Sequence, residues 1–510
     1  MSLFLRNLLP ASLLNYYELH PFRTILSIAL IARLISAIFS HGYGFSDDHF
    51  LVIEVAQQWV DGVNEKLWMP WNGNTTPSGH SLFYPGLHYL LFLFLKLMGV
   101  TSPVTKMYIV RVLHAFYSMA IVFFGFKISK KISGQKTAIL VGWLLAILWF
   151  IPMLSIRNMV EMVCIPPLVY ATWLILIAKE NQSLKTFLLA GFVAGLAFSF
   201  RFQTIMFIGG LGLAIWISKQ WIQGIWFGLG AIISITLIQG GVDYYIWHKP
   251  FAEFIEYSSY NIENAKNYVT GPWYKFIPLV AGLMIPPISL FIFFGIYKSF
   301  KKYLWVILPA LCFFAFHSYF PNKQERFILP VIPFFIMAGV AGWQSFKNQS
   351  LYWLKHKKLL HGIWVFFWIV NGILLVFLTP SSTKIIRVDA MTYLSKKKDA
   401  HKFMIEASNS WGGLMMPLFY ANKWELPYQL CGQYPPKFNF DTIHYYKYPM
   451  PDYIVFAEEK NIETRVDSLK KYVKGLKYET TIKPSFLDKT MHFLNPVNVN
   501  QTYYIYKVEH

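Results

Sequence analysis

Charged side chains are scarce in this chain. Asp, Glu, Lys and Arg make up 14% of its 510 residues, where soluble domains carry about 25%. With 55% hydrophobic residues and a mean hydropathy of +0.39, that shortage excludes an ordinary soluble globular protein and indicates a polytopic membrane protein. Acids are the scarcer sign: 26 Asp plus Glu against 46 Lys plus Arg leave a formal net charge of +20. In a soluble chain this excess would suggest nucleic acid. Here the basic residues cluster between apolar runs, as cytoplasmic loops do, and no nucleic-acid partner is inferred. Cysteine is nearly absent: Cys164 and Cys312 sit in apolar segments and Cys431 stands alone near the end. Three so placed make neither a disulfide framework nor a metal-ligand spacing, so no metal and no resident cofactor are expected. The chain also has no Gly-rich nucleotide loop, no internal repeat and no small-residue cleavage site after the apolar segment that follows Arg23.

What it has instead is a series of apolar runs. A membrane helix needs about 20 mostly apolar residues, and the sequence holds eleven candidate spans: 22–40, 107–126, 137–153, 162–178, 186–200, 203–218, 224–241, 275–297, 304–318, 327–345 and 361–379. Basic clusters at Lys127–Lys136, Lys179–Lys185, Lys298–Lys302 and Lys347–Lys358 mark the inside loops. By alternation the outside then holds 41–106, the turn near Arg157–Glu161, the neighbourhood of Arg201, 242–274, 319–326 and the tail from 380. The run 81–98 opens with Tyr84-Pro85-Gly86 and carries Lys96 near its end. A span there would put the 127–136 cluster on the wrong side, so it reads as a juxtamembrane helix. With a helix at about 50–61 it makes two such helices in the first outside loop, joined by a polar link at 71–79. Residues 380–510 have ordinary charge and read as a small α/β domain: strands at Phe403–Ala407, Asp452–Ala457 and Tyr478–Ile482, and a helix at Ile462–Leu476.

Several outside stretches carry residues suited to chemistry. Asp47 and Asp48 follow the first span, with Ser46 as a candidate N-cap. On a continuous α-helix Asp47, Glu54 and Asp61 would share one face. Adjacent carboxylates there serve as a general base, as metal ligands, or as plain complements to the helix dipole. Arg157 and Glu161 are four apart and either pair on a helix or help hold a site. Arg201 lies between apolar spans, where an arginine either snorkels or has a partner. Lys323 and Arg326 sit in a short outside loop, against the positive-inside rule, which suggests a bound anion such as phosphate; pairing with Glu325 is the bland alternative. In 242–274, Asp243, Tyr245 and Trp273 belong to an aromatic-rich stretch that reads as an interfacial belt or as a frame for a sugar ring.

That set, in that order, resembles the GT-C superfamily of integral membrane glycosyltransferases. More narrowly it is similar to glycosyltransferase family 22, the dolichyl/polyprenyl-phosphate-mannose-dependent mannosyltransferases of GPI-anchor and N-glycan assembly and their bacterial relatives. The family's His-Pro-Asp-Glu-x-Phe is echoed by Phe45-Ser46-Asp47-Asp48-His49-Phe50, without the His-Pro. Its Ser-Asn-x-x-Glu is echoed by Arg157-Asn158-Met159-Val160-Glu161, and its Arg-Pro-Thr by Arg201-Phe202-Gln203-Thr204. Its Asp-plus-aromatic loop is echoed by Asp243-Tyr244-Tyr245 through Gly271-Pro272-Trp273. Its His-Lys-Glu-x-Arg-Phe is echoed by Asn322-Lys323-Gln324-Glu325-Arg326-Phe327. The resemblance covers about residues 20–345 and implies a GT-C fold with a transmembrane domain at 1–379 and an extracytoplasmic domain at 380–510.

The resemblance implies inverting transfer of a sugar from a polyprenyl-phosphate co-substrate to a glycan or glycolipid hydroxyl, with membrane lipid around the site. Asp47 would be the general base, with Asp48 beside it. Glu54, Arg157 and Glu161 would support the acceptor side. Arg201, Lys323 and Arg326 would hold the donor phosphate, and Asp243, Tyr245 and Trp273 would frame the sugar. A groove beside 81–98 would admit the lipid tail. The expected setting is a bacterial inner membrane with the site facing the periplasm, or the endoplasmic reticulum membrane in a eukaryote. A transporter or flippase of lipid-linked sugars is the alternative, but it predicts repeated halves that this sequence lacks.

Overall fold

The computed structural model describes residues 11–63, 76–410, 413–425, 427–432, 450–494 and 501–509. A chain in hydrocarbon must satisfy its backbone internally, and the apolar runs fold as helices. By length and composition six are able to cross a membrane: Pro21–Phe39, Pro103–Ser133, Val160–Asn181, Trp221–Trp247, Glu325–Gln349 and Lys357–Leu378. Four further expected spans are shorter apolar helices, Gln135–Ile147, Leu184–Phe200, Phe202–Ile217 and Leu304–Tyr319, and so is the expected juxtamembrane helix, Phe83–Leu97. The span expected at 275–297 is not straight. Phe276–Leu283 and Ile288–Ser299 meet at a bend of 118°. Pro286 and Pro287 supply no backbone donors, and Ile285 takes a positive φ of 53°. Among the described residues, six helices, or seven with the bent pair as one, are thus long and apolar enough to cross a membrane, and the other four expected spans coincide with shorter apolar helices. The expected link at 71–79 lies outside the described residues as far as 75.

Contacts divide the chain into two compact units. One holds 1–38, 65–87 and 109–380; the other holds 39–64, 88–108 and 381–510. The expected boundary at 379/380 separates the first outside loop from the tail, whereas much of that loop belongs to the same unit as the tail.

In the first unit, close packing sets the ends of the helices that carry site residues. Helix Leu184–Phe200 lies against Trp221–Ile235 so tightly that a Cβ on Gly191 would fall 1.9 Å from the Phe227 carbonyl oxygen. Gly295 and Gly342 do the same between Ile288–Ser299 and Ile332–Gln349. Small residues permit such approach where no hydrophobic gain drives helices together. Arg33, buried in Pro21–Phe39, donates to Ser118 Oγ and to the Ala29, Leu145 and Ala146 carbonyls at 3.1–3.2 Å. It thereby satisfies acceptors at the end of Gln135–Ile147 that the helix itself leaves open.

The second unit contains a five-stranded sheet: β1 (Phe403–Ala407), β2 (Tyr428–Cys431), β3 (Tyr453–Ala457), β4 (Leu476–Ile482) and β5 (Tyr503–Val508), in the order β2-β1-β3-β5-β4. β1 pairs parallel with β2 and β3, while β5 pairs antiparallel with β3 and β4. The expected helix at Ile462–Leu476 is shorter, Ile462–Lys470. Met404, Leu430, Ile454, Phe456, Val466 and Leu469 pack as a core. Arg465 is fully buried against Glu406; its Nε donates to Glu406 Oε2 at 2.7 Å, and its other protons reach four backbone carbonyls. A buried ion pair of this kind is tolerated because every donor is satisfied.

The first-loop segment is stitched to the tail's first residues. Thr383 N–H donates to the His41 carbonyl at 3.1 Å, Tyr43 N–H to the Thr383 carbonyl at 3.2 Å, and Lys384 Nζ to the Gly44 carbonyl at 2.7 Å. Gly42 sits at φ +80° with the Thr383 carbonyl where a Cβ would be, so only glycine fits there.

Candidate active site

The acidic pair begins a helix with an irregular register. Ser46–Asp48 is α-helical, His49–Glu54 is π-helical, and Val55–Asp61 is α-helical again. The N-cap is Phe45, not Ser46, and no side chain caps it. A π turn takes one residue more than an α turn, so the residues beyond it are rotated by about 100°. Glu54 therefore does not share a face with Asp47, as a continuous α-helix would require. Asp47 is exposed and Asp48 is buried. Glu54 is buried, accepts the Phe419 N–H at 3.1 Å, and lies 3.5 Å from His49 Nε2. His49 and Glu54 are five apart and meet because the π turn brings them together. The imidazole stacks on Tyr43 and Tyr420. Glu54 thus ties the helix to the tail segment Leu418–Ala421.

In the first unit Arg157 and Glu161 do not lie on one continuous helix. Helix Ile151–Ser155 ends before Arg157, and the extended residue Met159 starts Val160–Val163. Arg157 is buried on that short link. Glu161 joins two arginines from distant segments. Its Oε1 meets Arg201 Nη1 and lies 3.5 Å from Arg326 Nε. All three side chains are nearly inaccessible. Arg201 ends the tightly packed Leu184–Phe200 helix, and Arg326 lies in the 3-10 turn Glu325–Val331. Arg326 Nε also donates to Gln324 Oε1 at 3.0 Å. The Phe327 ring lies 5.1 Å from the Arg201 guanidinium and 5.9 Å from that of Arg326. Two cations share one carboxylate, and Arg201 Nε and Nη2 have no hydrogen-bond partner among the described residues. Such a cluster carries positive charge in a dry setting and suits an anion.

Lys323 does not belong to it. The side chain is 1% exposed. Its Nζ donates to the His317 carbonyl at 2.8 Å, to the Ser318 carbonyl at 2.6 Å, and to the Phe320 carbonyl. An ammonium has three protons, and all three cap the end of Leu304–Tyr319. The sequence expectation that Lys323 holds phosphate is corrected on that ground.

The aromatic stretch also resolves differently. Asp243 is fully buried, accepts Gln239 Nε2 at 2.9 Å and holds the Glu253 N–H at 3.1 Å. It thereby ties helix Ala252–Glu263 to the preceding helix. Glu253, which sequence reading passed over, accepts Ser78 Oγ at 2.8 Å, the Gly79 and His80 N–H groups at 2.7 and 3.2 Å, and Trp247 Nε1 at 2.8 Å. Burial raises its pKa. Together these acids clamp residues 78–80 in place. Tyr245 is 81% exposed and Trp273 66% exposed. Asp243 and Tyr245 are two apart on one helix and point to different sides. Tyr257, half-buried beside Gln203, joins the arginine neighbourhood: Arg201, Glu161 and Arg326 all act on it electrostatically, and desolvation raises its pKa to about 12.

Many apolar helices and a small sheet unit define the architecture of a polytopic helical membrane protein, and comparison with solved structures agrees. ArnT from Cupriavidus metallidurans bound to undecaprenyl phosphate superposes with a TM-score of 0.61 over 95% of this chain and 97% of that one, at 13% identity. The Archaeoglobus fulgidus oligosaccharyltransferase AglB, in complex with an inhibitory peptide and a dolichol-phosphate, gives 0.52 over 91% and 74% at 10% identity. At such identities the likeness is one of fold. Residues 24–410 match the Alg9-like mannosyltransferase family, and the chain belongs to that family. GPI mannosyltransferase 3 of Saccharomyces cerevisiae is 32% identical over 142 residues, which is 25% of this chain and 22% of that relative. The chain thus matches about a fifth of the length of that relative.

Proposed function

We propose that this protein transfers mannose from a polyprenyl-phosphate donor to a hydroxyl of a lipid-linked glycan or other glycolipid, on the extracytoplasmic face of its membrane. The observation that carries the reading is the buried Arg201–Glu161–Arg326 cluster in a chain of a mannosyltransferase family. A sugar carried on a lipid phosphate presents one anion beside one anomeric carbon. Arg201 and Arg326 supply donors for that anion and for the charge that grows on the leaving phosphate.

Asp47, exposed at its helix start, takes the acceptor proton as general base. The acceptor oxygen forms its bond to the anomeric carbon as the bond to the phosphate oxygen breaks, and configuration inverts. The buried Asp48, and Glu54 through its bond to Phe419, hold the helix that presents Asp47. Arg157 supports the link that places Glu161. Tyr245 and Trp273 offer exposed aromatic faces to sugar or lipid. The basic clusters between spans favour the extracytoplasmic side for these loops: the periplasm in a bacterium, the lumen in the endoplasmic reticulum.

The test uses the full chain in lipid nanodiscs with polyprenyl-phosphate mannose and total membrane glycolipid as acceptor. Release of polyprenyl phosphate with mannosylation of the glycolipid is expected. Asp47→Asn should abolish release while polyprenyl-phosphate binding stays normal. A fully active Asp47→Asn variant would remove the general-base assignment.

A further inference from the structure

His317 takes no part in the transfer step, yet it stands at the same aromatic hub as the arginines. It lies near the end of helix Leu304–Tyr319 and is 2% exposed. Its ring is 5.8 Å from Phe327, the ring that both guanidinium groups also approach. Phe313 and Phe316 pack its other sides at 4.3 and 5.2 Å.

The ring's hydrogen bonding decides what it can recognise. Nδ1 lies 2.9 Å from the Phe313 carbonyl oxygen. A carbonyl only accepts, so Nδ1 carries the proton. In the neutral ring Nε2 is then a bare acceptor, and it is buried with no hydrogen-bond partner among the described residues. A phosphate oxygen, itself an acceptor, cannot satisfy Nε2; a hydroxyl can. At the same Phe327 ring, Arg201 Nε and Nη2 are donors in the complementary condition. Buried polar atoms in native proteins are nearly always paired, and here unpaired donors and an unpaired acceptor share one neighbourhood.

We propose that His317 is a substrate-reading residue: its Nε2 accepts a hydrogen bond from a hydroxyl of the sugar whose phosphate the arginines hold. The subsite is therefore specific for a glycosyl phosphate and not for a bare lipid phosphate. This rests on the donor reading of the arginine cluster and assigns within it the group that distinguishes the sugar from its carrier. A site built to bond a hydroxyl rejects the analogue that lacks it far more strongly than an apolar pocket rejects a missing methylene.

The experiment compares the unaltered protein with His317→Phe and His317→Gln in nanodiscs, using polyprenyl-phosphate mannose and its 2-, 3-, 4- and 6-deoxy analogues. His317→Phe keeps the ring's packing and removes the acceptor; Gln restores an acceptor oxygen. With the natural donor, His317→Phe should lose about 10- to 100-fold in kcat/KM, and His317→Gln should recover part of that. Affinity for sugar-free polyprenyl phosphate should be unchanged in both. One deoxy donor should be poor for the unaltered protein and equally poor for His317→Phe, because the bond is already missing. If His317→Phe lowers activity by the same factor with every deoxy donor, or weakens sugar-free polyprenyl phosphate equally, the hydroxyl assignment is overturned. If the unaltered protein turns over no lipid-phosphate sugar, the transfer reading fails first and the assignment with it; turnover with the pattern absent sinks the assignment alone.

Discussion

Replacing Glu161 by alanine tests the reading of the buried cluster most directly. One carboxylate oxygen there serves two guanidinium groups, and the side chains of Glu161, Arg201 and Arg326 are 2%, 3% and 8% exposed. At the 3.5 Å separation from Arg326, an effective dielectric of about 20 makes the attraction about 5 kcal/mol before desolvation. Burial offsets much of that in the intact cluster. The variant keeps the desolvation of both cations and loses the carboxylate they share. Breaking a buried pair from one side costs about 3–5 kcal/mol, and Glu161→Ala should fall in that range. Glu161→Gln retains an acceptor and should lose less. Adding Arg201→Met to Glu161→Ala should restore about 1–3 kcal/mol, since the second change removes an unpaired charge. Chemical unfolding of the full chain in nanodiscs, followed by tryptophan fluorescence, reads these differences. A Glu161→Ala loss within about 0.5 kcal/mol, the range of surface substitutions, would refute the account of a dry, shared carboxylate.

Two cation variants should part company. Lys323→Met should cost about 1–3 kcal/mol of stability, because three carbonyls lose a charged donor, and should leave the donor KM within about twofold. Arg326→Ala should raise that KM at least about tenfold and leave the acceptor KM unmoved, as steady-state kinetics with both substrates varied would check. Burial holds Tyr257 at about 12, against an ordinary 10.0. The folded state then keeps a proton that the unfolded chain gives up, so this contribution is full below about pH 10 and is lost as pH rises toward 12. Tyr257→Phe should flatten the alkaline fall in stability across that window in pH-resolved unfolding.

Much of the architecture was legible because lipid imposes simple rules on sequence. Runs of apolar residues mark helices whatever their neighbours, and β1, β3 and β4 showed in their β-rich composition. β2, a four-residue strand ending in Cys431, and β5 carried weaker signals. Arg201 and Arg326 could be selected because a cation beside an apolar span is costly and has a reason to be there. The same rule selected Lys323 and Asp243 and assigned them to ligands, since the cost of burial is visible in sequence and the partner that offsets it is not. Glu253 and His317 attracted no notice. One sits in a loop of ordinary acids and aromatics. The other sits in Phe313-Phe-Ala-Phe-His317, where a lone histidine looks like packing.

The sequence by itself determined the solvent of this protein, the order of its helices, its family motifs and the residue types able to handle a phosphate and a proton. Tertiary structure alone decided which charges meet. Glu161 joins residues 40 and 165 positions away, Glu54 reaches Phe419, and a π turn rotates it off the face of Asp47. Each depends on close helix packing, an extra residue in a turn or a carbonyl from a distant segment. Local propensity does not encode these, because many chains of the same periodicity would bring different side chains together.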